Sequence, residues 1–292
     1  MSPATSKSQV KTLLTGLAFG ESPRWHGDRL WLADWGAQEI VAVDLVGNRE
    51  VMIRVDFPAF PMCFDWLLDG RLLVISSWNE LLLRREPDGS LVTHADLSGL
   101  VQKGHPWNEI VVDGRGNTYI NNIGFEFPGG NFAPGTIALL ASDGSTRRVA
   151  DNIAFPNGMA VTLDNSTLIV AESYGQRLTA FDITADGGLS NRRVWAEVPG
   201  DHPDGICLDA DNAVWYADVG NKHCVRVREG GEVLQTIDLE RGCFACMLGG
   251  ADRRTLFMVA TEWHGTERNM AGGAKTGQVL TIEAPARGAG RP

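Results

Sequence analysis

Residues 155–172 read Phe155-Pro-Asn157-Gly-Met-Ala-Val-Thr-Leu-Asp164-Asn-Ser-Thr-Leu-Ile-Val-Ala-Glu172. The segment combines a proline, a polar residue, a short apolar strand, an Asp-led turn and a second apolar strand. The same pattern returns as His202-Pro-Asp204-Gly-Ile-Cys-Leu-Asp209 and onward to Asp218, and as His105-Pro-Trp-Asn108-Glu-Ile-Val-Val-Asp113 and onward to Asn122. Alternating apolar residues bounded by turn residues are typical of β-hairpins. The chain therefore contains a repeated hairpin unit.

Weaker copies of this unit begin at three further positions, so the chain carries six equivalent points. These points are Glu21, Pro61, Asn108, Asn157, Asp204 and Phe244. They are separated by roughly 40 to 49 residues, which is the length of a four-stranded propeller blade. Each copy continues into further alternating strands, and no long segment has a convincing helical period. The sequence therefore predicts an all-β fold, a six-bladed β-propeller with a central metal site.

The 292 residues fit one propeller domain, residues 1–292, without an internal linker. We expect Val10–Leu14 to pair with Gly277–Ile282 in the last blade, because that pairing would hide two sheet edges at once. The ends, residues 1–9 and 286–292, are expected to fray. The segment 267–276 is rich in Gly and charge, which predicts a long surface loop.

Composition excludes several classes of protein. Lys and Arg number 26 against 36 for Asp and Glu, and the net charge of −10 argues against nucleic-acid or anionic-membrane partners. No apolar run approaches the roughly 18 residues of a membrane helix, and the first residues lack the apolar core of a secretory signal. The five irregularly spaced cysteines favour a reducing compartment, so we expect a cytoplasmic protein. Cys243 and Cys246 are interpreted as buried strand residues. The oligomeric state is left open.

Four of the six equivalent points carry oxygen ligands, namely Glu21, Asn108, Asn157 and Asp204. The inner strands of a propeller all start at one face beside the axis, so these side chains are expected to converge there. Two carboxylates and two carboxamides suit a hard divalent cation, Ca²⁺ first and Mg²⁺ or Mn²⁺ next. Asn157-Gly and Asp204-Gly are also turn-forming dipeptides. All four residues occupy the same position in the repeat, and this coincidence favours a metal site over a purely turn-forming role.

Other polar residues are predicted near the same face. The second strand of each hairpin returns there, which brings in Asp34, Asn121, Asn122, Glu172 and Asp218 as candidates for the pocket or for support of the ligands. Asn121, Asn122, His105 and Trp107 are the candidate substrate-binding residues, together with Asn108 itself. The chain has no nucleophile elbow, zinc-protease motif, phosphate-binding loop or dinucleotide fingerprint, so those enzyme classes are poorly supported.

The order of these segments resembles the regucalcin/gluconolactonase family of six-bladed propellers over nearly the full chain. The matching segments are Gly20-Glu-Ser-Pro-Arg-Trp25, Asn108-Glu-Ile-Val-Val-Asp113, Pro156-Asn-Gly-Met-Ala160, Pro203-Asp-Gly-Ile-Cys207 and Gly249-Gly-Ala-Asp-Arg-Arg-Thr-Leu-Phe257. The resemblance implies a Ca²⁺- or Zn²⁺-dependent lactone hydrolase whose metal ligands are Glu21, Asn157 and Asp204. It implies that Asn108 contacts the metal or the substrate.

One position departs from the family pattern. Sugar-lactonase members carry an Arg two residues before the Asn that corresponds to Asn108, and this chain has Pro106 there. An Arg binds hydroxyl or carboxylate groups through a two-pronged donor set, which proline lacks. With Trp107 adjacent, a less polar lactone or ester is as compatible with the sequence as a sugar lactone. In either case the metal would polarise the carbonyl and Asp204 would act as the general base for water, or attack directly as nucleophile.

Three alternatives remain open at the level of sequence. The resemblance extends to organophosphate hydrolases, which use a similar calcium cage. A non-catalytic propeller could use the ion only to fix its blades, as a calcium-binding or protein-docking scaffold. Propellers of the strictosidine-synthase kind usually lack a full metal cage, which counts against that assignment here.

Overall fold

The computed structural model describes residues 9–270 and 274–292. Within them the chain is almost entirely β-structure arranged in six sheets, which confirms the predicted six-bladed propeller. The strands in chain order are β1 (Lys11–Leu17), β2 (Gly20–His26), β3 (Arg29–Asp34), β4 (Glu39–Val43), β5 (Arg49–Arg54), β6 (Phe64–Trp66), β7 (Leu72–Ser76), β8 (Leu81–Arg85), β9 (Leu91–Asp96), β10 (Trp107–Val112), β11 (Thr118–Asn122), β12 (Gly135–Leu140), β13 (Thr146–Ile153), β14 (Pro156–Val161), β15 (Thr167–Glu172), β16 (Arg177–Ile183), β17 (Leu189–Glu197), β18 (Pro203–Asp209), β19 (Ala213–Asp218), β20 (His223–Arg228), β21 (Val233–Asp238), β22 (Gly242–Gly249), β23 (Thr255–Thr261), β24 (Gly277–Glu283) and β25 (Gly288–Ala289).

Each blade is an antiparallel meander. Blade 1 contains β2–β5, blade 2 β6–β9, blade 3 β10–β13, blade 4 β14–β17, blade 5 β18–β21, and blade 6 β22–β24 with β1. The first strands of neighbouring blades lie side by side and line the axis. The inner strands β10 and β22 are buried along their whole length because a blade covers each face, whereas the outer strands β5 and β17 have several exposed residues.

Short turns join the first two strands of each blade, and in blades 2 to 6 an Asp side chain accepts hydrogen bonds from the turn backbone. The Oδ1 atom of Asp113 accepts hydrogen bonds from the backbone N–H groups of Arg115 at 2.8 Å and Asn117 at 2.9 Å. Asp209 binds the backbone of its own turn in the same way. An Asp at the start of a turn stabilises it by bonding the backbone two residues on. These residues are therefore turn formers, as the sequence predicted.

The ring closes through the N-terminal strand. Strand β1 pairs with β24, with Lys11 opposite Thr281, which confirms the predicted pairing. The expectation of a frayed tail at 286–292 is wrong. Strand β25 pairs with the axial edge of β18, with Leu208 opposite Ala289, because the inner strand would otherwise leave backbone groups unpaired there. Residues 1–8 of the predicted N-terminal tail lie outside the described residues.

The segment 267–276 is more regular at its start than predicted. A short helix, α1 (Thr266–Met270), occupies the first part, and residues 271–273 lie outside the described residues. Two single 3-10 turns, Trp35–Ala37 and Ser77–Asn79, follow β3 and β7. None of the helices in residues 9–270 and 274–292 is long and apolar enough to span a bilayer.

Side chains near the axis join each blade to the next. Asn121 of blade 3 donates from Nδ2 to the backbone oxygen of Asn157 in blade 4 at 2.7 Å. Ser173 of blade 4 donates from Oγ to the backbone oxygen of Pro203 in blade 5 at 2.8 Å. Buried hydrogen bonds of this kind fix the relative position of the strands that carry the predicted ligands.

The five cysteines are all free and buried. Cys243 and Cys246 lie on β22, and the Sγ of Cys246 is 3.9 Å from that of Cys207 on the neighbouring inner strand. This separation is a van der Waals contact rather than a bond. The prediction that Cys243 and Cys246 are buried strand residues is confirmed.

Candidate functional site

The four predicted ligands occupy the same position in four inner strands. Glu21, Asn108, Asn157 and Asp204 are each the second residue of their strand, in β2, β10, β14 and β18. All four line one cavity of about 170 Å³ at the end of the axis where the inner strands begin. The structure thus brings these four side chains together. We name Glu21, Asn108, Asn157 and Asp204 the cage; their role as metal ligands stays a prediction.

Two glycines allow the cage strands to approach closely. A Cβ atom on Gly158 would lie 2.6 Å from the backbone oxygen of Asp204, and one on Gly205 would lie 2.5 Å from the Cβ of Ala245. Such distances are far below van der Waals contact, so any larger residue would push the neighbouring inner strands apart. The Asn157-Gly and Asp204-Gly pairs lie inside strands with a local bulge, not in turns. The turn interpretation of these dipeptides is therefore wrong.

The two cage carboxylates are electrostatically unfavourable without a cation. Burial raises the pKa of Glu21 well above its ordinary range, and the nearby Asp204 carboxylate raises it further. Burial also raises the pKa of Asp204, with further increases from the charges of Asp218 and Glu109. A bound cation would favour the ionised forms of both groups. Like charges converging on one buried point therefore fit a cation site.

The cage amides present their oxygen atoms as the available ligands. Asn108 donates from Nδ2 to the backbone oxygen of Pro156 at 3.2 Å. Asn157 donates from Nδ2 to the Oγ of Ser173 at 3.3 Å. The Oδ1 of Asn108 accepts no hydrogen bond from the described residues, whereas the Oδ1 of Asn157 accepts a long one from Asn108 Nδ2 at 3.5 Å, which a bound cation would have to replace. An all-oxygen set of this kind suits Ca²⁺, Mg²⁺ or Mn²⁺ better than a softer ion.

A buried ion pair lies beside the cage. Arg24 donates from Nη2 to the Oε1 of Glu109 at 2.9 Å and to the backbone oxygen of Ile110 at 2.8 Å. Glu109 directly follows Asn108 on β10. Glu109 engages the Arg24 guanidinium, whose charge lowers the pKa of Glu21 by less than burial, Asp204 and Glu109 raise it. Arg24 and Glu109 are 85 residues apart in the sequence, so their pairing was not predictable from the sequence pattern.

The cavity above the cage has aromatic walls. Seven rings form one continuous chain of ring contacts, in the order Trp263, Phe244, Phe19, Trp35, Phe60, Phe127 and Phe155. Neighbouring centroids are 4.9 to 6.3 Å apart, and most pairs meet edge to face. We call these seven residues the aromatic wall. Pro61, Ile123, Val219 and Thr266 complete the described lining.

Two of the predicted substrate-binding residues lie elsewhere. Trp107 is fully buried in the core, because neighbouring residues of a strand point to opposite faces and Asn108 already points to the axis. His105 is not among the described residues that line the cavity. The assignment of Trp107 to the substrate pocket is therefore corrected, and that of His105 stays a prediction.

The two asparagines at the end of β11 have supporting roles instead. Asn121 is fully buried, accepts from the N–H of Glu109 and donates to the backbone of Asn157, so it holds two cage strands in register. Asn122 donates to the backbone oxygen atoms of His105 and Pro106. Both amides are occupied by protein groups, and neither lines the cavity. Their prediction as substrate-binding residues is corrected accordingly.

The carboxylates at the ends of the second strands anchor loops. Asp34 accepts from the backbone N–H groups of Ala18 and Phe19, and Glu172 accepts from the N–H of Ala154. Asp218 accepts from the backbone of His202 in the same manner. Each bond fastens the loop that leads into the inner strand of the same blade. Asp34, Glu172 and Asp218 occupy the same position in their blades because each anchors a loop, and not because each contacts substrate.

Asp218 also belongs to a cluster with Asp201 and His223 whose ligand atoms lie within 4.8 Å of one another. The carboxylate oxygen atoms of this cluster already accept hydrogen bonds from protein groups. Asp201 accepts from the Tyr216 hydroxyl at 2.6 Å, contacts His223 Nε2 at 2.9 Å and accepts from Asn221 at 2.8 Å. These contacts indicate a hydrogen-bonded support for the loop before β18.

A second, larger cleft of about 810 Å³ lies between blades 4 and 5. Hairpin-turn residues such as Asp164 and Asn212 line it, so it opens at the end of the strands opposite the cage. Its arginines are already paired, Arg226 with Asp209 and Arg193 with Asp182. The smaller cavity over the cage has the unneutralised carboxylates and is the candidate active site.

Comparisons with known proteins agree with this geometry. The family model described as "SMP-30/Gluconolactonase/LRE-like region" matches residues 19–262. Diisopropyl-fluorophosphatase of Loligo vulgaris is 28% identical over 211 residues, 64% of this chain and 65% of that protein. Regucalcin of Danio rerio is 30% identical over 168 residues, 51% of this chain and 56% of that protein. The chain thus spans less than two-thirds of the length of these two curated relatives.

Solved structures show the same fold at lower sequence identity. A luciferin-regenerating enzyme superposes with a TM-score of 0.81 at 19% identity, covering 97% of this chain and 98% of that one. A gluconolactonase from Xanthomonas campestris gives 0.76 at 21% identity over 95% and 90%. A calcium-binding regucalcin from Agrobacterium tumefaciens gives 0.75 at 20% identity over 94% of each chain. Since the family model covers most of the propeller, the chain belongs to the SMP-30/gluconolactonase/LRE-like family.

Proposed function

We propose that the protein is a divalent-cation-dependent hydrolase that opens a lactone or a related ester. The observation that carries this proposal is the cage at the floor of an accessible cavity, with two carboxylates that repel each other, Glu21 buried and Asp204 half-buried. A purely structural channel has no need of such residues. Membership of the gluconolactonase-like family supports the same reaction class.

Glu21, Asn108, Asn157 and Asp204 would hold the cation, and their oxygens favour Ca²⁺, with Mg²⁺, Mn²⁺ and Zn²⁺ as the other candidates. The likeness to calcium-binding regucalcin supports Ca²⁺. When bound, a divalent cation would act as a Lewis acid on the carbonyl oxygen of the substrate.

The chain's own residues supply the remaining steps. Asp204 takes a proton from water as the water oxygen forms a bond to the acyl carbon. The bond between the acyl carbon and the ring oxygen then breaks, and the proton passes from Asp204 to the leaving alkoxide. Glu21 and Asn157 stay fixed as supports, and Asn108 orients the carbonyl. The aromatic wall limits the access of bulk water, which strengthens these polar interactions.

Metal restoration tests this proposal. Protein stripped with a chelator is assayed on a panel of sugar and aliphatic lactones after separate addition of Ca²⁺, Mg²⁺, Mn²⁺ or Zn²⁺. We expect turnover only with a restored cation, with Ca²⁺ the most effective. Binding of one cation without hydrolysis of any lactone or ester would contradict the proposal and favour a non-catalytic calcium-binding propeller.

A second candidate reaction is hydrolysis of a phosphotriester or fluorophosphate on the same cage. The specific observation in its favour is the 28% identity to diisopropyl-fluorophosphatase. The same cation would then face a phosphoryl oxygen, and Asp204 would act on the phosphorus centre. A diisopropyl fluorophosphate arm in the metal panel separates the two reactions, because release of fluoride and opening of a lactone are measured independently.

A further inference from the structure

We propose that the substrate is an uncharged lactone whose ring carries an apolar alkyl or aryl group rather than an array of hydroxyls. This inference rests on the proposed function, since it names the substrate class of the same cavity. It follows from the chemistry of the walls above the cage.

The cavity walls offer few hydrogen-bonding groups. Apart from the cage, the polar side-chain groups of the described lining residues are the Thr266 hydroxyl and the indole N–H groups of Trp263 and Trp35, and none of the lining residues is Lys, Arg or His. Trp35 does not add a donor, because its Nε1–H already donates to the backbone oxygen of Met62 at 2.6 Å. A buried hydroxyl without a partner costs about 1–3 kcal/mol, so a polyhydroxy lactone would lose binding free energy at several atoms.

The electrostatics disfavour anionic substrates. Recognition of a carboxylate or phosphate group requires Arg or Lys donors, or comparable backbone sites. The cage contributes two carboxylates, and the nearest described guanidinium, Arg24, is held by Glu109. A bound divalent cation would be offset by Glu21 and Asp204, so the site as a whole would not attract a substrate anion.

The dimensions select a ring-sized apolar group. The cavity of about 170 Å³ is comparable to a cavity of about 150 Å³ that accommodates benzene. Its deep wall is formed by buried rings, including Phe19 at 1% exposure, while Trp263 at the rim is 39% exposed. A lactone ring could therefore lie over the cage, with its apolar substituent in contact with Phe60 and Trp263. Contact with aromatic faces would bury apolar area at about 25 cal/mol per Å².

Two lactones with the same six-membered ring test this directly. We expect kcat/KM for a pentyl-substituted δ-lactone to exceed that for glucono-δ-lactone by at least about ten-fold in calcium-loaded protein. Trp263→Ser and Phe60→Ser should reduce the value for the pentyl lactone by a larger factor than the value for glucono-δ-lactone, because the pentyl group loses its contacts with these two rings. Phe132→Ser is the matched control, because Phe132 is 53% exposed and lies outside the described cavity lining. Equal or higher kcat/KM for glucono-δ-lactone would overturn the inference.

A binding measurement separates this inference from the proposed function. The pentyl δ-lactam keeps the shape of the lactone but resists hydrolysis, and its binding is followed by calorimetry at several temperatures. We expect binding with a negative heat-capacity change that is lost in Trp263→Ser, since burial of apolar surface has that signature. If the lactam binds in this way while no cation supports lactone turnover, the proposed function fails and the apolar specificity stands. Absence of lactam binding, or binding unaffected by Trp263→Ser, would overturn the inference.

Discussion

Arg24 and Glu109 form a buried ion pair at 2.9 Å that links blade 1 to blade 3 across the axis. Their side chains are 6% and 8% exposed, so neither charge can be hydrated if its partner is removed. We expect Arg24→Met to lower the free energy of unfolding by about 3–5 kcal/mol, because it leaves Glu109 as an unpaired buried charge. Urea denaturation followed by circular dichroism measures this change.

The double variant Arg24→Met/Glu109→Leu is the control for that experiment. Replacing both members of a buried pair by apolar residues of similar size is often close to neutral. We expect the double variant to recover most of the lost stability. A double variant as unstable as Arg24→Met would show that packing, rather than charge pairing, sets the effect.

Asp204→Asn should retain the fold and lose most of the turnover. The amide keeps the size of the side chain and an oxygen ligand, but it cannot accept a proton from water. We expect kcat to fall by about 100-fold or more, with the thermal transition little changed. Initial rates at saturating substrate and a melting curve test this, and turnover like that of the unmodified protein would remove Asp204 from the mechanism.

Glu21→Gln should chiefly weaken the binding of the cation. It removes one of the two cage charges while preserving the shape of the side chain, so the site loses its attraction for a divalent ion. We expect calcium titration calorimetry to show a weaker Kd and turnover to recover partly at high Ca²⁺. Glu232→Gln is the control, since Glu232 is an exposed partner of Arg228. An unchanged Kd would contradict the assignment of Glu21 to the cage.

Gly205→Ala should disturb the cage through its backbone. The added Cβ would lie 2.5 Å from the Cβ and 2.7 Å from the Cα of Ala245, so blades 5 and 6 must separate beside Asp204. Forcing extra atoms into a packed interior typically costs about 1–3 kcal/mol, and we expect calcium affinity to fall as well. Gly220→Ala is the matched control, because a Cβ there would meet its nearest atom at an ordinary 3.6 Å.

The Glu172 carboxylate should make the free energy of unfolding depend on pH in the acid range. Burial alone would raise the pKa of Glu172, but hydrogen bonds from Arg177, Ala154 N–H and Thr179 outweigh it and hold the pKa below its ordinary value of 4.5. The stabilisation is therefore fully present above about pH 4.5 and is lost as pH falls through the lowered pKa. Glu172→Gln should cost about 2 kcal/mol at pH 7, less than a fully buried pair, since Arg177 and Arg192 are a third exposed.

Chemical denaturation at pH 7, 5 and 3.5 tests this expectation. The difference between the unmodified protein and Glu172→Gln should shrink below about pH 4.5, because protonation removes the same charge that the substitution removes. A difference that stays constant over this range would show that Glu172 stabilises the blade by shape alone.

The sequence predicted the cage because a propeller repeats its geometry. Residues at the same position in successive blades, such as Asn157 and Asp204, must converge on the axis, and the length of the connecting loops does not change this. The same periodicity also placed Asp34 and Glu172 among the candidates, although their shared position in the repeat reflects the anchoring of loops. Trp107 was predictable in principle, since it neighbours Asn108 on a strand of period two and must face the other way.

From the sequence, Trp263 was a candidate wall residue of a pocket, but the aromatic wall as a set of seven rings was not predicted, and the reason is geometric. Trp35, Phe60, Phe127 and Trp263 come from connections of different length and shape, so no period relates them. A partial signal existed in Phe19 and Phe155, each two residues before a cage residue. The ordered tail at β25 also had no local signal, since its partners on β18 are about 80 residues earlier in the chain.

Pairing of β1 with β24 has a consequence for the order of folding. Lys11 and Thr281 are neighbours in space but 270 residues apart in sequence, so blade 6 cannot form before nearly all of these strands have been synthesised. Closing so long a loop is slow, because the chain loses conformational entropy before the contacts between β1 and β24 can offset that loss. Blades 1 to 5, which carry the whole cage, must therefore wait as an open arc in which the two end blades each leave one apolar face uncovered, and a chaperone that shields such faces would increase the yield of closed rings.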